Sequence, residues 1–273
     1  MDDTPYLSRG AKHVTTTSSV LVSSSKYLNH PVIREYVVTE NLRRNGQDLP
    51  FTYMIPGLIK ALVELQDKAR IDELFAEARR DWPALDAFFV DRRLSGMTME
   101  RLSKLPNESI GRRLYRLMIA RGFDLELFPA YDTKSDYDFW KLRSAQYHDL
   151  HHLLFGATFD HLGEVSSIFG RLSSYTKFFV PELAAELNVL STFVMMSLIP
   201  RTQLYYPQCV PTLWRDIERG MRIGRESDAW FLAPYDDYLH LSPVEIRAVI
   251  GLRGVEEFDT TEESVGWGEG RAY

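Results

Sequence analysis

The sequence predicts an all-α fold with a single helical domain over residues 51–253. Apolar side chains recur there at spacings of three and four, which is the period of helices buried on one side. Prolines and N-cap residues begin many of these segments, and glycines end several of them. Strand-like patterns are confined to residues 20–22 and 36–39. Packed helices without an extended sheet are therefore expected.

The first predicted helices lie in the first half of the domain. Pro56 occupies a position where a first helical turn accepts proline, and the leucines that follow it at spacings of four and three predict a helix to about residue 70. A short helix is expected over 72–80. Pro106 opens another predicted helix, which ends at Gly122.

The second half continues the helical pattern. Ser135 and Asp138 resemble a capping box and predict a helix that runs to Phe155, with Gly156 as its stop. A further helix is expected to begin near residues 158–160. The remaining predicted helices cover residues 183–198, 214–225 and 243–250, the last with an N-cap, a proline and a glutamate at its start.

Composition and charge limit the possible function classes. The 273 residues are 45% hydrophobic and carry a formal net charge of -6, so no basic field favours nucleic acid. Cys209 is the only cysteine, which excludes an internal disulfide and an all-cysteine metal site. Residues 187–200 form a charge-free run of 14 residues, short of a membrane span, so membrane contact is expected to be peripheral.

Both ends of the chain differ in composition from the middle. Residues 1–50 are predicted to form an N-terminal arm that is partly mobile and extended in places, because they contain a serine- and threonine-rich stretch. Residues 254–273 are acidic and glycine-containing, and we expect a flexible tail. No mitochondrial presequence is seen at the start.

The sequence has one dense group of metal-binding residue types. Four of the seven histidines lie between positions 148 and 161. On a helix, His148, Asp149 and His152 stand at spacings of three and four and converge on one side. Glu164 is twelve residues past His152, too far on an unbroken helix, so the chain must turn at Gly156 and return as an antiparallel partner helix. These four residues are the predicted ligands of one divalent metal ion.

Imidazole and carboxylate ligands suit zinc, iron, manganese or cobalt without choosing among them. The alternative is a hydrogen-bonded polar patch that holds no metal. His151 and His161 are expected to be packing or surface residues. A His-Asp metal phosphohydrolase is a second possible class, but it needs more ligands than the contexts of His30 and His240 offer.

The spaced pattern His148-Asp149-x-x-His152, then Glu164 after eleven residues, resembles the metal motif of the Coq-four family of ubiquinone biosynthesis proteins. The resemblance spans roughly residues 50–253, without the mitochondrial presequence, which indicates a bacterial member. Further matching positions are Arg143, Gly156, Leu162 and Gly163, and the segments 105–112, 220–225 and 243–252.

The resemblance implies a zinc-dependent or related enzyme that removes the C1 carboxyl group of a polyprenylated hydroxybenzoate and hydroxylates that carbon. It also implies a cytoplasmic protein peripheral to the inner membrane, other ubiquinone biosynthesis proteins as partners, and allows a homodimer. A non-catalytic, lipid-binding scaffold of the biosynthetic complex is the alternative. Arg143 is expected to pair with the substrate carboxylate and Tyr147 to line the ring pocket.

Overall fold

A computed structural model of the chain describes residues 23–42, 54–126 and 130–262. Within these ranges the secondary structure is helical, and the sheet-like pairing is one isolated parallel bridge between Ala157 and Phe258. The predicted all-α fold is confirmed. The helices are α1 (Pro31–Leu42), α2 (Ile55–Leu65), α3 (Lys68–Asp81), α4 (Pro83–Asp91), α5 (Met99–Ser103), α6 (Ile110–Arg121), α7 (Asp136–Gln146), α8 (His148–Leu154), α9 (Gly163–Phe178), α10 (Pro181–Tyr205), α11 (Val210–Glu226), α12 (Tyr235–Tyr238) and α13 (Pro243–Val249).

Local start and stop signals explain many helix boundaries. The side chain of Ser135 caps α7, and Ser242 with Glu245 forms a capping box at α13, as predicted. Gly122 ends α6 in the left-handed conformation. Asp67 caps α3, so the helix expected to reach residue 70 ends earlier, at Leu65.

The helix predicted over residues 135–155 is divided at Tyr147, between α7 and α8. No proline or glycine stands at this break. Instead, the Tyr147 ring packs on Tyr235 with ring centroids 4.9 Å apart, and its hydroxyl donates a hydrogen bond to Asp236. These contacts hold Tyr147 at φ -104° and ψ 8°, outside helical geometry. Tertiary anchoring therefore sets the start of α8.

Part of the predicted N-terminal arm is a docked helix. Residues 36–39, expected as a strand, lie within α1, and this expectation was wrong. The α1 helix packs on α10 through a 2.9 Å hydrogen bond between Tyr36 and Ser197 and a fully buried ion pair between Glu40 and Arg201. Residues 20–22, and the rest of the arm before residue 23 and at 43–50, lie outside the described ranges.

Helix α10 is central and unusually apolar. It is 25 residues long with a mean hydropathy of 1.5 over its best window, so length and composition alone would let it cross a membrane. It packs against α1, α2, α3, α9 and α11, and 39% of that window is buried inside the protein. Phe193 of α10 lies in one apolar cluster with Leu58 and Leu62 of α2.

Helices α9 and α11 make an unusually close contact. Small residues face each other along this contact. If Gly220 carried a Cβ atom, that atom would lie 2.6 Å from the Ser166 carbonyl oxygen. A Cβ at Gly224 would overlap the Gly170 carbonyl oxygen. Real Cβ atoms do not come this close to backbone, so only glycine permits the spacing. The first turn of α9 is thereby held at a fixed depth in the molecule.

Substituting Gly224 with alanine should test this contact. We expect Gly224→Ala to lower the free energy of unfolding by about 1–3 kcal/mol, the usual cost of overpacking a tight interface. Gly57→Ala is the control, since Gly57 is helical with its nearest foreign atom at 3.8 Å and should gain up to about 1 kcal/mol in helix propensity. Urea unfolding measures both, and equal stabilities of the two variants would contradict the packing.

Candidate metal centre

Three metal-binding side chains meet between α8 and α9. His148 and His152 stand one helical turn apart on α8, and Glu164 lies in the first turn of α9. Residues 155–162 form the turn between the helices, and Gly156 enters it at φ 61°. A Cβ at Gly163 would overlap the Thr158 carbonyl oxygen, so glycine is required there. The predicted break in the helix thus brings Glu164 to the two histidines.

The three donor atoms form a nearly equilateral triangle. The Nε2 atoms of His148 and His152 are 3.4 Å apart, and Glu164 Oε1 lies 3.5 Å from the first and 3.3 Å from the second. Zinc bonds of about 2.0–2.1 Å at tetrahedral angles place ligand atoms about 3.3–3.4 Å apart. Charge-assisted hydrogen bonds are shorter, about 2.7–2.9 Å. The spacing fits shared ligation of one metal ion better than a direct ion pair.

The surroundings of His152 fix how its ring is used. Its Nδ1 atom donates a 2.8 Å hydrogen bond to the Thr158 carbonyl, which leaves the Nε2 lone pair facing the other donors. The Phe159 ring stacks on the imidazole with centroids 4.5 Å apart. The His152 side chain is 1% exposed, whereas His148 and Glu164 are 21% and 26% exposed. The centre is therefore buried on one side and open on the other.

The electrostatics of the three groups are mutually supporting. Burial by itself favours neutral Glu164, but the two imidazoles outweigh it and hold the pKa of Glu164 well below its usual range. Burial likewise disfavours charged His152, but the Glu164 carboxylate overcomes it and raises the pKa of His152. Each of the two groups therefore favours the charged form of the other.

Asp149 was predicted as a fourth ligand, and the structure places it beside the donor group rather than within it. The atoms that lie within 4.8 Å of one another belong to His148, His152 and Glu164. Burial raises the pKa of Asp149, although the two imidazoles partly oppose this. The physical reason is angular, because a residue next to His148 on a short helix points about 100° away from it.

Arg143 and Tyr147 were expected to contact substrate, and neither faces the donor group. The Arg143 guanidinium donates hydrogen bonds to the carbonyls of Phe231 and Ala233 and is buried among aromatic rings. The Tyr147 hydroxyl donates to Asp236. Arg143 thus contacts the segment before α12, and Tyr147 contacts α12 itself. Their polar groups are therefore satisfied by the protein itself.

The other histidines in the described ranges do not extend the centre. His151 is buried between the rings of Trp230 and Tyr235, with centroids 5.1 and 5.6 Å away, and burial lowers its pKa well below the ordinary value. Across the described ranges, neither His30 nor His240 joins the three donors. The larger ligand set that a His-Asp phosphohydrolase requires is not assembled from these described residues.

A buried ion pair on α11 secures both ends of the turn 155–162. Asp216 accepts a 2.9 Å hydrogen bond from the Ser166 backbone N–H at the start of α9. Its partner Arg219, 3.0 Å away, donates to the Phe155 carbonyl after α8 and to the Glu256 carbonyl. These are the backbone groups that helix ends leave unpaired. One turn of α11 therefore fixes α8 relative to α9.

The segment after α13 closes the same region, although a flexible tail was expected from residue 254. The Phe258 N–H donates a 2.8 Å hydrogen bond to the Gly156 carbonyl, and the hydroxyls of Thr158 and Thr260 are 2.5 Å apart. Thr260 also donates to Asp160. Composition alone missed these contacts because single backbone and hydroxyl hydrogen bonds, which leave no pattern in composition, anchor residues 258 and 260. Residues 263–273 lie outside the described ranges.

Arg219→Met should disrupt the metal centre without touching a ligand. It leaves Asp216 buried without its cation, so we expect unfolding to become about 3–5 kcal/mol easier. Loss of the support for the turn should weaken zinc affinity about 10–100-fold. Arg225→Met, an exposed arginine on the same helix, is the control. Zinc titration of the folded proteins provides the measurement, and unchanged affinity in Arg219→Met would refute the proposed support.

The pH dependence of the metal-free protein follows from the two shifted groups. Because the pKa of Glu164 is lowered in the folded state, its charge stabilises the fold at pH values above its ordinary pKa of 4.5. This stabilisation is lost as the pH falls through the folded-state pKa. Because the pKa of His152 is raised in the folded state, its charge stabilises the fold at pH values below its ordinary pKa of 6.5. This stabilisation is lost as the pH rises through the folded-state pKa. The pair therefore stabilises the metal-free fold most between these two values.

Added zinc should show the opposite trend, because it binds the neutral imidazoles. We expect the zinc-induced rise in melting temperature to be larger at about pH 8 than at about pH 5.5. Differential scanning fluorimetry with and without a chelator measures this difference. Glu164→Gln should flatten it. A zinc effect of equal size at both pH values would show that these groups do not hold the ion.

Comparison with known proteins supports the fold. No family model matches the sequence, and no curated protein matches it. The resemblance to the Coq-four family therefore stays a prediction. The chain is similar to a crystal structure, at 2.85 Å resolution, of a protein from Nostoc punctiforme that carries the provisional name of a ubiquinone biosynthesis protein. The match has a TM-score of 0.62 and 20% identity, and covers 82% of this chain and 96% of the other, which shows a shared fold.

Proposed function

We propose that the protein is a metal-dependent enzyme of ubiquinone biosynthesis that replaces the C1 carboxyl group of a polyprenylated hydroxybenzoate with a hydroxyl group. The observation that carries this proposal is the triangle of His148, His152 and Glu164, whose edges match the spacing of ligands around one metal ion. The provisional name of the structural neighbour supports the pathway. The family resemblance of the spaced motif supports the reaction.

The donor set fits a catalytic ion. Two imidazoles and one carboxylate leave positions open for substrate or water, as in His₂Glu zinc sites and non-haem iron sites. Zinc is the first choice, with iron, manganese or cobalt as alternatives. Because zinc has no redox chemistry, a zinc ion would serve only as a Lewis acid and the electron donor would activate dioxygen, whereas iron, manganese or cobalt would take part in the redox step itself. Such an ion would act as a Lewis acid on the oxygen atoms of a carboxylate or phenolate. The partial exposure of His148 and Glu164 gives substrate a side from which to approach.

The chain's own residues supply the geometry. The Thr158 carbonyl holds His152 in the tautomer that offers Nε2, and the Phe159 ring covers the buried side of the imidazole. In the overall change the bond from C1 to the carboxyl carbon breaks and a bond from C1 to oxygen forms. Carbon dioxide leaves, dioxygen supplies the new oxygen atom, and a two-electron donor reduces the other oxygen atom to water.

Several features of the proposed setting come from the resemblance. The polyprenylated ring is the proposed ligand, other ubiquinone biosynthesis proteins are the proposed partners, and the location is cytoplasmic at the inner membrane face. Helix α10 is apolar, yet only 39% of its most apolar window is buried inside the protein. This partly uncovered apolar helix favours a lipid-handling role. The same observation favours the second candidate function, a scaffold that binds the lipid without converting it.

Turnover and metal content test the proposal together. Wild-type protein incubated with a polyprenyl-4-hydroxybenzoate, an electron donor and isotope-labelled dioxygen should yield a ring in which a labelled hydroxyl replaces the carboxyl group. Glu164→Gln should lose the metal and the product, because one of the three donors loses its charge. Asp149→Asn should keep the metal, because Asp149 lies outside the donor triangle.

Mass spectrometry of the ring and elemental analysis of the protein are the two measurements. Retained metal and bound lipid with unchanged substrate would favour the scaffold. Wild-type protein would be purified without chelators and then supplied with zinc or iron. If it still contains no metal, the metal centre itself would be contradicted.

A further inference from the structure

Helix α9 carries a second polar group on the face that bears Glu164. Arg171 is seven residues after Glu164, and Tyr175 is eleven residues after Glu164. All three therefore lie along one side of the helix. Seven residues correspond to about 10.5 Å of rise, and helical side chains lean towards the N-terminus. The Arg171 side chain therefore extends back along α9 in the direction of the metal donors.

The neighbours of Arg171 show where its charge lies. Arg171 is half-buried, and its neighbours Gly170, Ser174 and Tyr175 on α9 are buried. Gly170 packs directly against the ring of Phe155, which follows α8. Arg171 therefore lies on the part of α9 that packs against the end of α8, and its side chain is partly enclosed.

Arg171 differs from the other arginines around the centre. Arg143, Arg219 and Arg247 each donate hydrogen bonds to backbone carbonyls. Within the described ranges Arg171 makes no hydrogen bond and no ion pair, and its Nε atom is buried without an acceptor. A partly buried guanidinium without an acceptor is unfavourable by itself. Its planar donors match a carboxylate in a two-point contact.

We propose that Arg171 binds the acidic group of the substrate, an aromatic carboxylate, and so orients the ring towards the donors on α8 and α9. This inference rests on the proposed function and names the residue that recognises the acid. Arg143, expected in this role from sequence, already donates to two carbonyls. Arg171 provides a cation on the same helix face as Glu164, about two turns further along α9.

Binding of simple probes tests the proposal. In zinc-supplied protein, isothermal titration calorimetry would compare 4-hydroxybenzoate with phenol, which lacks the carboxylate. We expect Arg171→Gln to raise the Kd of 4-hydroxybenzoate about 10–100-fold, the value of a charge-assisted pair, with the Kd of phenol unchanged. Arg171→Lys should be intermediate, because it keeps the charge but loses the planar two-point contact. Metal content should match wild type in both variants.

Lys141→Gln is the matched control. Lys141 is a half-buried cation on α7 without an ion pair in the described ranges, and burial lowers its pKa to about 8. If only the general positive field attracted 4-hydroxybenzoate, Lys141→Gln would raise its Kd as much as Arg171→Gln does. That result would overturn a specific contact with Arg171. Circular dichroism of each variant checks the fold, and Arg171→Lys keeps the test decisive if Arg171→Gln unfolds.

The outcomes separate this inference from the proposed function. Metal binding and turnover by wild type, with no loss of 4-hydroxybenzoate affinity in Arg171→Gln, would overturn the inference alone. If carboxylate binding depends on Arg171 but the wild type binds no metal and turns over no substrate, the proposed function alone would be overturned. Failure of wild type to prefer 4-hydroxybenzoate over phenol would also overturn the inference.

Discussion

The buried ion pair between Asp216 and Arg219 is the constraint on which the candidate centre depends. It satisfies a free backbone N–H at the start of α9 and free carbonyls after α8 and in the segment near Glu256. Charges buried this deeply are costly unless they are paired and hydrogen-bonded, and here each partner reaches backbone groups that would otherwise be unpaired. The two helices that carry the metal donors are joined through α11 rather than only through their own turn.

The close contact between α9 and α11 turns this local support into a fixed position. Glycines at 220 and 224 bring the two backbones together, so Asp216 on α11 reaches the first turn of α9 without stretching. The donor triangle inherits this rigidity, because Glu164 belongs to that first turn. In this arrangement the Glu164 carboxylate lies 3.3–3.5 Å from both imidazoles.

The sequence was sufficient for the helical class and for the meeting of His148, His152 and Glu164, because spacing on a helix and one necessary break at Gly156 determine which side chains can meet. The division at Tyr147 was not foreseeable, since it follows from contacts with Tyr235 and Asp236, the second of which is 89 positions further along the chain. The same is true of Arg143, whose partners are carbonyls on a distant segment. Residue type indicates which groups can bind, whereas tertiary contacts determine which remain available. Arg171 carried no sequence signal, because an isolated arginine in a helical pattern has the look of a solvent-exposed residue.

The pairing of Phe258 with the turn at Gly156 also bears on the order of events during synthesis. Thr158 and Thr260 are separated by 102 positions, yet their hydroxyls meet beside the donor group. A growing chain can form α8 and α9 early, but the wall made by residues 256–260 can be added only after the C-terminal segment has left the ribosome. The wall beside Thr158 is thus completed late in synthesis, while the side that bears His148 and Glu164 remains open.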